Sequence, residues 1–354
     1  MSKIKVAIIG VGGISKHHIN SYIANPNVEL YAFCDINEKV LRAKGETYGI
    51  ERLYTDEATM LRELPEIDAV SVCTWNSAHA PCTIMALEAG KHVLCEKPMA
   101  TNAEDAMKML ETAKRVGKKL MVGFVRRFGK DTKVIRDFMD AGSVGQLYYA
   151  KASYLRRNGC PGGWFGDKSR SGGGPLIDLG VHVIDLVRYL CGNPKPVSVT
   201  GATYKKLGNR PDIKDTVEYK SVSKTSKDIF DVEDLATAFI RFDNGAVLAI
   251  DTSFSLNLKH NTTKIELFGT KGGIYLDGDV ELYTETGGYL SNVTLDMKTA
   301  FEMKDIFQNE INFYVDAIIN DTDTYAIAED GITLMKILDG IYKSAELGCE
   351  VKIV

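Results

Sequence analysis

The chain has 354 residues, 45% hydrophobic and 25% charged, with a formal charge of −4 at neutral pH. That is length enough for two domains with separate cores, and the charge balance lacks the basic footprint of a nucleic-acid binder. No stretch approaches about 18 uninterrupted apolar residues, so no membrane span is expected. The N-terminus runs directly into a strand and a glycine loop, which predicts no signal peptide. Seven cysteines include no Cys-x-x-Cys pair, and Cys34, Cys73, Cys95 and Cys191 lie in apolar runs as small hydrophobes. A reduced, cytoplasmic protein is expected.

Five short apolar runs in the first part of the chain each end in a polar cluster. Lys5–Ile9 runs into Gly10-Val11-Gly12-Gly13-Ile14-Ser15, and Val28–Cys34 stops at Asp35-Ile36. Ala69–Cys73 stops at Thr74-Trp75-Asn76-Ser77-Ala78-His79, His92–Cys95 at Glu96-Lys97-Pro98, and Leu120–Val125 at Arg126-Arg127-Phe128. Helical patterns fall between them: one through Tyr22-Ile23, then Glu38–Tyr48, Glu57–Leu64, His79–Ala89 and Asn102–Val116, the last stopped by Gly117. A short strand near Arg52–Tyr54 precedes the third. This alternation predicts βαβ units and a parallel sheet. Ligands of such sheets sit beyond the carboxyl ends of the strands, so all five clusters are expected to serve one site.

The second half changes character. Helix Thr132–Ala141, strand Gln146–Tyr154 and a single helix Gly174–Cys191 are followed mostly by strands: Val197–Tyr204, Leu235–Phe242, Ala246–Ser255, Lys264–Gly269, Gly273–Asp277 and Asp279–Thr284. Asp243-Asn244-Gly245 is a hairpin signal. Residues 205–231 are polar and weakly periodic, and read as a surface excursion. Helices Ile306–Asn320 and Ala328–Leu347 close the chain. The expectation is an α/β unit at 1–125, doubly wound on a parallel sheet, then an α+β domain at 126–354 on an open, predominantly antiparallel sheet.

The clusters have definite chemistry. A Gly-x-Gly loop between strand and helix suits a pyrophosphate, although Ser15 replaces the usual third glycine. Asp35, 20 residues past Ser15 at the end of the second strand, is where a carboxylate binds both ribose hydroxyls; it would repel a 2′-phosphate, so NAD is favoured over NADP. Lys97 either pairs with Glu96 and pins a strand end or aims its ammonium at a substrate oxygen. Asp178, His182 and Asp185 are spaced i, i+4, i+7 on one helix face. They read either as a base and its orienting carboxylate or as a dipole-capping acid beside a core histidine, and Asp185 would equally pair with Arg188. The six histidines show no metal-ligand spacing, so no metal is expected.

Taken together these motifs resemble the glucose–fructose oxidoreductase / inositol 2-dehydrogenase / rhizopine-catabolism (Gfo/Idh/MocA) family. The residues that carry the resemblance are Gly10-x-Gly12 with His17 and His18 downstream, Asp35, Thr74-x-Asn76-x-x-His79, Glu96-Lys97-Pro98, Arg127-Phe128, Asp178-x-Gly180-x-His182-x-x-Asp185, and Glu310-Ile311-Asn312-Phe313 through Glu329-Asp330-Gly331. It implies a Rossmann domain that binds NAD through Gly10, Gly12, Gly13, Ile14, Asp35, Ile36, Thr74, Trp75, Asn76, His79, Glu96, Lys97 and Arg127. It also implies a second domain supplying the substrate site and an oligomer interface on its sheet, in a dimer or tetramer. Lys97 would contact the reacting hydroxyl and His182 would take its proton, with Asp178 orienting the ring. The substrate would be a sugar, glycoside or inositol oxidised at a ring hydroxyl, and Arg156, Arg157, Asn158, Trp164 and Phe165 are candidates to hold it. Two other readings share the motifs: an enzyme that keeps and recycles its NAD(H), and a non-catalytic NAD-sensing regulator.

Overall fold

In the computed structural model, residues 3–208, 210, 212–214 and 220–353 are described. The chain opens with β1 (Ile4–Ile9), α1 (Ser15–Ala24), β2 (Val28–Cys34), α2 (Glu38–Tyr48), β3 (Leu53–Tyr54), α3 (Glu57–Glu63), β4 (Ala69–Val72), α4 (Asn76–Glu88), β5 (His92–Glu96), α5 (Ala103–Val116) and β6 (Leu120–Gly123). Its six strands form a parallel sheet in the order β3-β2-β1-β4-β5-β6. Helices cover such a sheet on both faces, which is why β4 and β6 are buried at every position and read as unbroken apolar runs. The helix ends are written locally. Asn37, Asp56 and Asn102 accept the amides of Val40, Thr59 and Asp105, while Gly49 and Gly117 end α2 and α5 in the left-handed conformation. One helix starts earlier than expected: α4 begins at Asn76 rather than His79, with Pro81 inside it.

The next stretch supplies α6 (Lys130–Asp140), β7 (Leu147–Leu155), the short α7 (Lys168–Ser171), a π-helical turn at Leu176–Gly180 leading into α8 (Val181–Leu190), then β8 (Pro196–Tyr204), β9 (Leu235–Phe242), β10 (Val247–Ser253), β11 (Thr262–Gly269), β12 (Gly272–Asp277), β13 (Asp279–Thr286) and β14 (Tyr289–Thr294). The chain ends with α9 (Met303–Ile319), α10 (Tyr325–Leu347) and β15 (Val351–Lys352). Nine strands order as β14-β13-β12-β11-β7-β10-β9-β8-β15, antiparallel throughout except β7 against β10. The turn expected at Asp243-Asn244-Gly245 joins β9 to β10, with Gly245 at φ 84. Strands β14 and β15 were not expected. The first has no buried position and follows the Gly287-Gly288 turn, and the second is two residues long.

Two compact units result: the chain through Val125 with Met303–Met335, and Arg126–Glu302 with the chain from Lys336 onward. The unbroken second domain expected at 126–354 is therefore corrected. Phe307, Ile311 and Tyr314 of α9 bury their side chains in the first unit, where α9 lies against α1. An amphipathic helix does not announce in its sequence which of two cores it will cover. A second correction concerns Gly174–Cys191, expected as one α-helix. Its first turn is π-helical, a local widening that the residue pattern does not signal. Of the excursion 205–231, residues 209, 211 and 215–219 lie outside those described.

No described helix is long and apolar enough to cross a membrane, and the seven cysteines are all free. Among the described residues no group of three or more side chains is arranged to hold a metal ion.

Glu310 is fully buried in the first unit, and neither carboxyl oxygen has a hydrogen-bond partner among the described residues. Burial pushes its carboxyl well above the ordinary range, and the Glu96 charge adds to the effect. In the fold burial favours its neutral form; in the unfolded chain it ionises above about pH 4.3. Folding therefore carries a penalty that is absent at low pH and grows as pH rises toward the folded value. Glu310→Gln should gain in Tm relative to the parent as pH is raised from about 4 to about 8, and thermal melts across that range test it. A Tm difference that ignores pH would contradict the assignment.

Candidate active site

In the first unit, the residues beyond β1, β2, β4 and β5 are bonded to one another. Gly10 takes φ 87, and a Cβ there would lie 2.7 Å from the Cys73 carbonyl carbon, so only glycine lets the loop after β1 cross the end of β4. Asp35 Oδ2 accepts the Val11 amide at 2.8 Å and Oδ1 the Asn37 amide at 2.8 Å. Ser15, fully buried, donates its hydroxyl to the Gly12 carbonyl at 2.8 Å. The hydroxyl thus ties the loop to the first turn of α1 where the third glycine is missing.

The loop also meets the requirement for a bound dinucleotide. A Cβ on Gly12 would have nothing within 4 Å, so bare backbone faces outward at the start of α1, where amides and helix dipole favour a pyrophosphate. Asp35 is half-buried, and two of its roughly four lone-pair sites are taken by amides, leaving acceptors for ribose hydroxyls. Ile36 beside it is 72% exposed. Gly13, Ile14, Thr74 and Trp75 are also part-exposed at this edge.

Three of the expected cofactor residues are placed differently. His79 is buried and bridges two carbonyls, Pro98 at 2.7 Å through Nδ1 and Thr74 at 3.2 Å through Nε2, so it braces the loops after β4 and β5. Asn76 is buried too. Glu96 is buried, with His18 Nε2 at 2.7 Å and the Lys97 amide at 3.2 Å. Burial opposes its charge, but the His18 hydrogen bond and the nearby charges of His18 and Lys97 hold the carboxyl below the ordinary range. The chain continues from His18 Nδ1 to Ser71 at 3.3 Å and on to Tyr22 at 2.8 Å. Lys97 itself is half-buried at the strand end.

Arg127 falls in the second unit, where its side chain is 6% exposed and forms a two-pronged ion pair with Asp185, Nε to Oδ2 at 3.0 Å, while its guanidinium lies over the Tyr189 ring. Arg188, the partner that spacing along the helix offered for Asp185, donates to the Pro194 carbonyl at 3.2 Å. A contact between residues 58 apart could not be inferred from spacing along one helix.

From Leu176 to Leu190 nearly every residue is buried; Asp178, His182 and Tyr189 are half-exposed. The helix is seated at its start by residues that the sequence did not single out. Glu233 accepts the amides of Gly174 at 2.9 Å and Leu176 at 3.2 Å, and the Tyr342 hydroxyl at 2.9 Å. Burial raises its carboxyl, and these donors pull it partly back. A Cβ on Gly173 would stand 2.0 Å from Tyr342 Oη, and one on Gly174 2.2 Å from the Glu233 carbonyl oxygen. The glycine run was the only available signal, and it marked close approach without naming the partners.

The substrate candidates divide. Arg156 donates to the Gly159 carbonyl at 2.9 Å and the Tyr154 hydroxyl at 3.3 Å, bracing its own loop. Arg157 is exposed, with its amide held by Asn261. Asn158 bridges to Ser255, and its buried Oδ1 has no partner among the described residues. Trp164 and Phe165 stack with ring centroids 3.9 Å apart, both half-buried.

Known proteins share this architecture. Residues 4–124 match the oxidoreductase family with an NAD-binding Rossmann fold, and residues 132–275 match the GFO/IDH/MocA C-terminal domain. The chain is 34% identical to the D-glucoside 3-dehydrogenase of Escherichia coli (strain K12), over 99% of this chain and 98% of that protein. It belongs to the Gfo/Idh/MocA oxidoreductase family. Within the family it is also 29% identical to a myo-inositol 2-dehydrogenase of Thermotoga maritima, over 77% of this chain and 75% of that one. A levoglucosan dehydrogenase in complex with NADH shares its fold across both whole chains, at TM-score 0.84 and 23% identity. The first unit is an NAD-binding Rossmann domain and the protein is an oxidoreductase of this family.

Breaking the Arg127–Asp185 pair from one side takes a two-pronged partner from a buried charge. Arg127→Met should destabilise the fold by about 3–5 kcal/mol, and Arg127→Met with Asp185→Leu should recover most of that. Denaturant titration of the single and double variants measures both. Equal losses in the two would show that packing rather than charge is at stake.

Proposed function

We propose that this protein is an NAD(H)-dependent dehydrogenase that oxidises a ring secondary hydroxyl of a sugar, glycoside or inositol to a ketone. The observation that carries the reading is that Asp178 and His182 stay only part-buried on a helix whose other residues, Tyr189 apart, are buried. Two titratable side chains that are not closed into the core are poorly explained as core packing. The names of the relatives support the substrate class, since the glucoside and inositol dehydrogenases span most or all of this chain.

NAD, when bound, supplies the hydride acceptor. Gly10, Gly12, Gly13 and Ile14 hold its pyrophosphate, and Asp35 holds the adenosine ribose with Ile36 beside it. Thr74, Trp75 and Asn76 line the loop after β4, whereas His79 and Glu96 serve by bracing the Lys97 turn. His182 accepts the proton of the substrate hydroxyl, and Asp178 fixes its tautomer and favours the imidazolium that forms. Lys97 holds the oxygen as negative charge builds on it, an effect that belongs to the transition state more than to binding. The free cysteines fit a reducing cytoplasm. The half-exposed Phe239 beside the Tyr149 and Phe268 stack suits pairing of the large sheet with a second copy.

Three variants test this. His182→Ala should lower kcat by about 10²–10⁴-fold with NAD affinity little changed. Lys97→Ala should keep the fold and NAD affinity but lose most turnover, and Lys97→Arg should not restore it, because a planar fork is no substitute for a compact ammonium. Turnover is read as NADH released from glucosides and inositols, and affinity by calorimetry. Normal turnover in either alanine variant would remove that residue from the mechanism. Separately, the parent should bind NAD at least about tenfold more tightly than NADP, and Asp35→Ser should narrow the gap. Equal dissociation constants in the parent would refute the role of Asp35.

A further inference from the structure

The segment between β8 and β9 read from sequence as a polar surface excursion. Its later part, residues 220–231, is mostly exposed, as expected, and is also bonded along the turn that carries Trp164 and Phe165. Ser221 donates its amide to the Pro161 carbonyl at 3.0 Å, and the Trp164 amide reaches Ser223 Oγ at 3.4 Å. Asp228 accepts the Gly163 amide on Oδ2, and on Oδ1 both the amide and hydroxyl of Thr225 at 2.9 Å. Asp231 donates its amide to the Gly166 carbonyl at 3.0 Å and accepts the Lys168 amide at 2.7 Å. Beneath these bonds Phe230 packs on the buried cluster of Cys160, Leu179 and Phe254, and Leu179 belongs to the π-helical turn beside Asp178.

The turn is built to be held. Gly162 and Gly163 take φ 74 and 63, a backbone that other residues adopt only with strain. A Cβ on Gly163 would lie 2.2 Å from Ser223 Oγ, and one on Gly166 2.5 Å from the Ile229 carbonyl oxygen. Burial works against the Asp228 charge, but the amides of Gly163 and Thr225 keep the carboxyl below its ordinary range. An ionised acceptor thus pins the amide next to Trp164. Preorganisation of this kind raises affinity, because a loop fixed before binding loses no further freedom when the ligand arrives.

We propose that Asp228 is a positioning residue for substrate specificity: through the Gly163 amide it holds the stacked Trp164–Phe165 pair ready for the C–H face of a pyranose or cyclitol ring. This rests on the reading of the Arg156–Phe165 segment as substrate-facing. Asp228 touches no substrate itself; it acts through the turn. Its loss should therefore fall on KM for the ring compound, not on kcat or on NAD.

The test is steady-state kinetics with a methyl glucoside and with myo-inositol, together with NAD affinity and thermal melts, on Asp228→Ala, Asp228→Asn and Trp164→Ala. Asp228→Ala should raise KM for the better probe about tenfold, with kcat at saturation and NAD affinity nearly unchanged. Asp228→Asn, which keeps one oxygen acceptor, should fall between, and it serves alone if the alanine variant does not fold. A raised KM in Trp164→Ala with a normal KM in both Asp228 variants would overturn the clamp and leave the turn as a substrate element. Normal KM in Trp164→Ala would overturn the reading of the turn itself. A fall in kcat or NAD affinity in the Asp228 variants would show a general structural role and reject the proposal. Failure of the parent to turn over either probe would reject the sugar reading together with it.

Discussion

The Asp35 carboxylate accepts the Val11 amide at 2.8 Å, and through that bond the end of β2 and the glycine loop after β1 become one object. The placement of the dinucleotide loop depends on it. Gly10 crosses the backbone of Cys73 and Thr74 with no room for a side chain, and Ser15 ties Gly12 to the first turn of α1. A hydrogen bond to an ionised acceptor contributes about 1.5–3 kcal/mol, enough to hold a short loop against its conformational entropy. The acidic side chain is thus committed to the protein's own backbone, and the ribose role proposed for it would use the lone pairs that remain.

The second unit repeats this device with different residues. Glu233 collects the amides that open the Asp178–His182 helix, and Asp228 collects the turn before Trp164. Asp234, buried, accepts the amides of Lys206 at 2.7 Å and Gly208 at 2.9 Å where the excursion leaves β8. Loops cannot draw on a ladder for their amide partners, so carboxylates take that part where the chain must be stiff without secondary structure. The residues proposed to carry chemistry stand on supports of this kind rather than on the hydrophobic core alone.

The charges beneath the Lys97 turn follow another logic. Glu96 is held ionised by His18, whereas Glu310, close enough to feel that charge, is held neutral by burial. Two acids in one buried region cannot both ionise cheaply, and the environment assigns the charge to the one with a partner. The ionised acid is also the one that grips the Lys97 amide.

Much of this was legible in the residues alone. The five strands of the parallel sheet with clusters at their carboxyl ends, the stop at Gly117, the hairpin at Asn244-Gly245 and the glycine loop are all local signals, set by periodicity and by backbone geometry within a few residues. The sequence alone determined the fold class, the NAD domain and the polar residues on the Asp178–His182 helix. What it left open depends on contacts across long separations. The partner of Asp185, the burial of His79 between two carbonyls, the assignment of α9 to the first unit, and the anchoring of Gly163 by Asp228 join residues 58, 19, hundreds or 65 positions apart. Only tertiary structure decided these, because a side chain's partner is fixed by where whole elements pack, and packing is a property of the folded core rather than of any segment's own pattern.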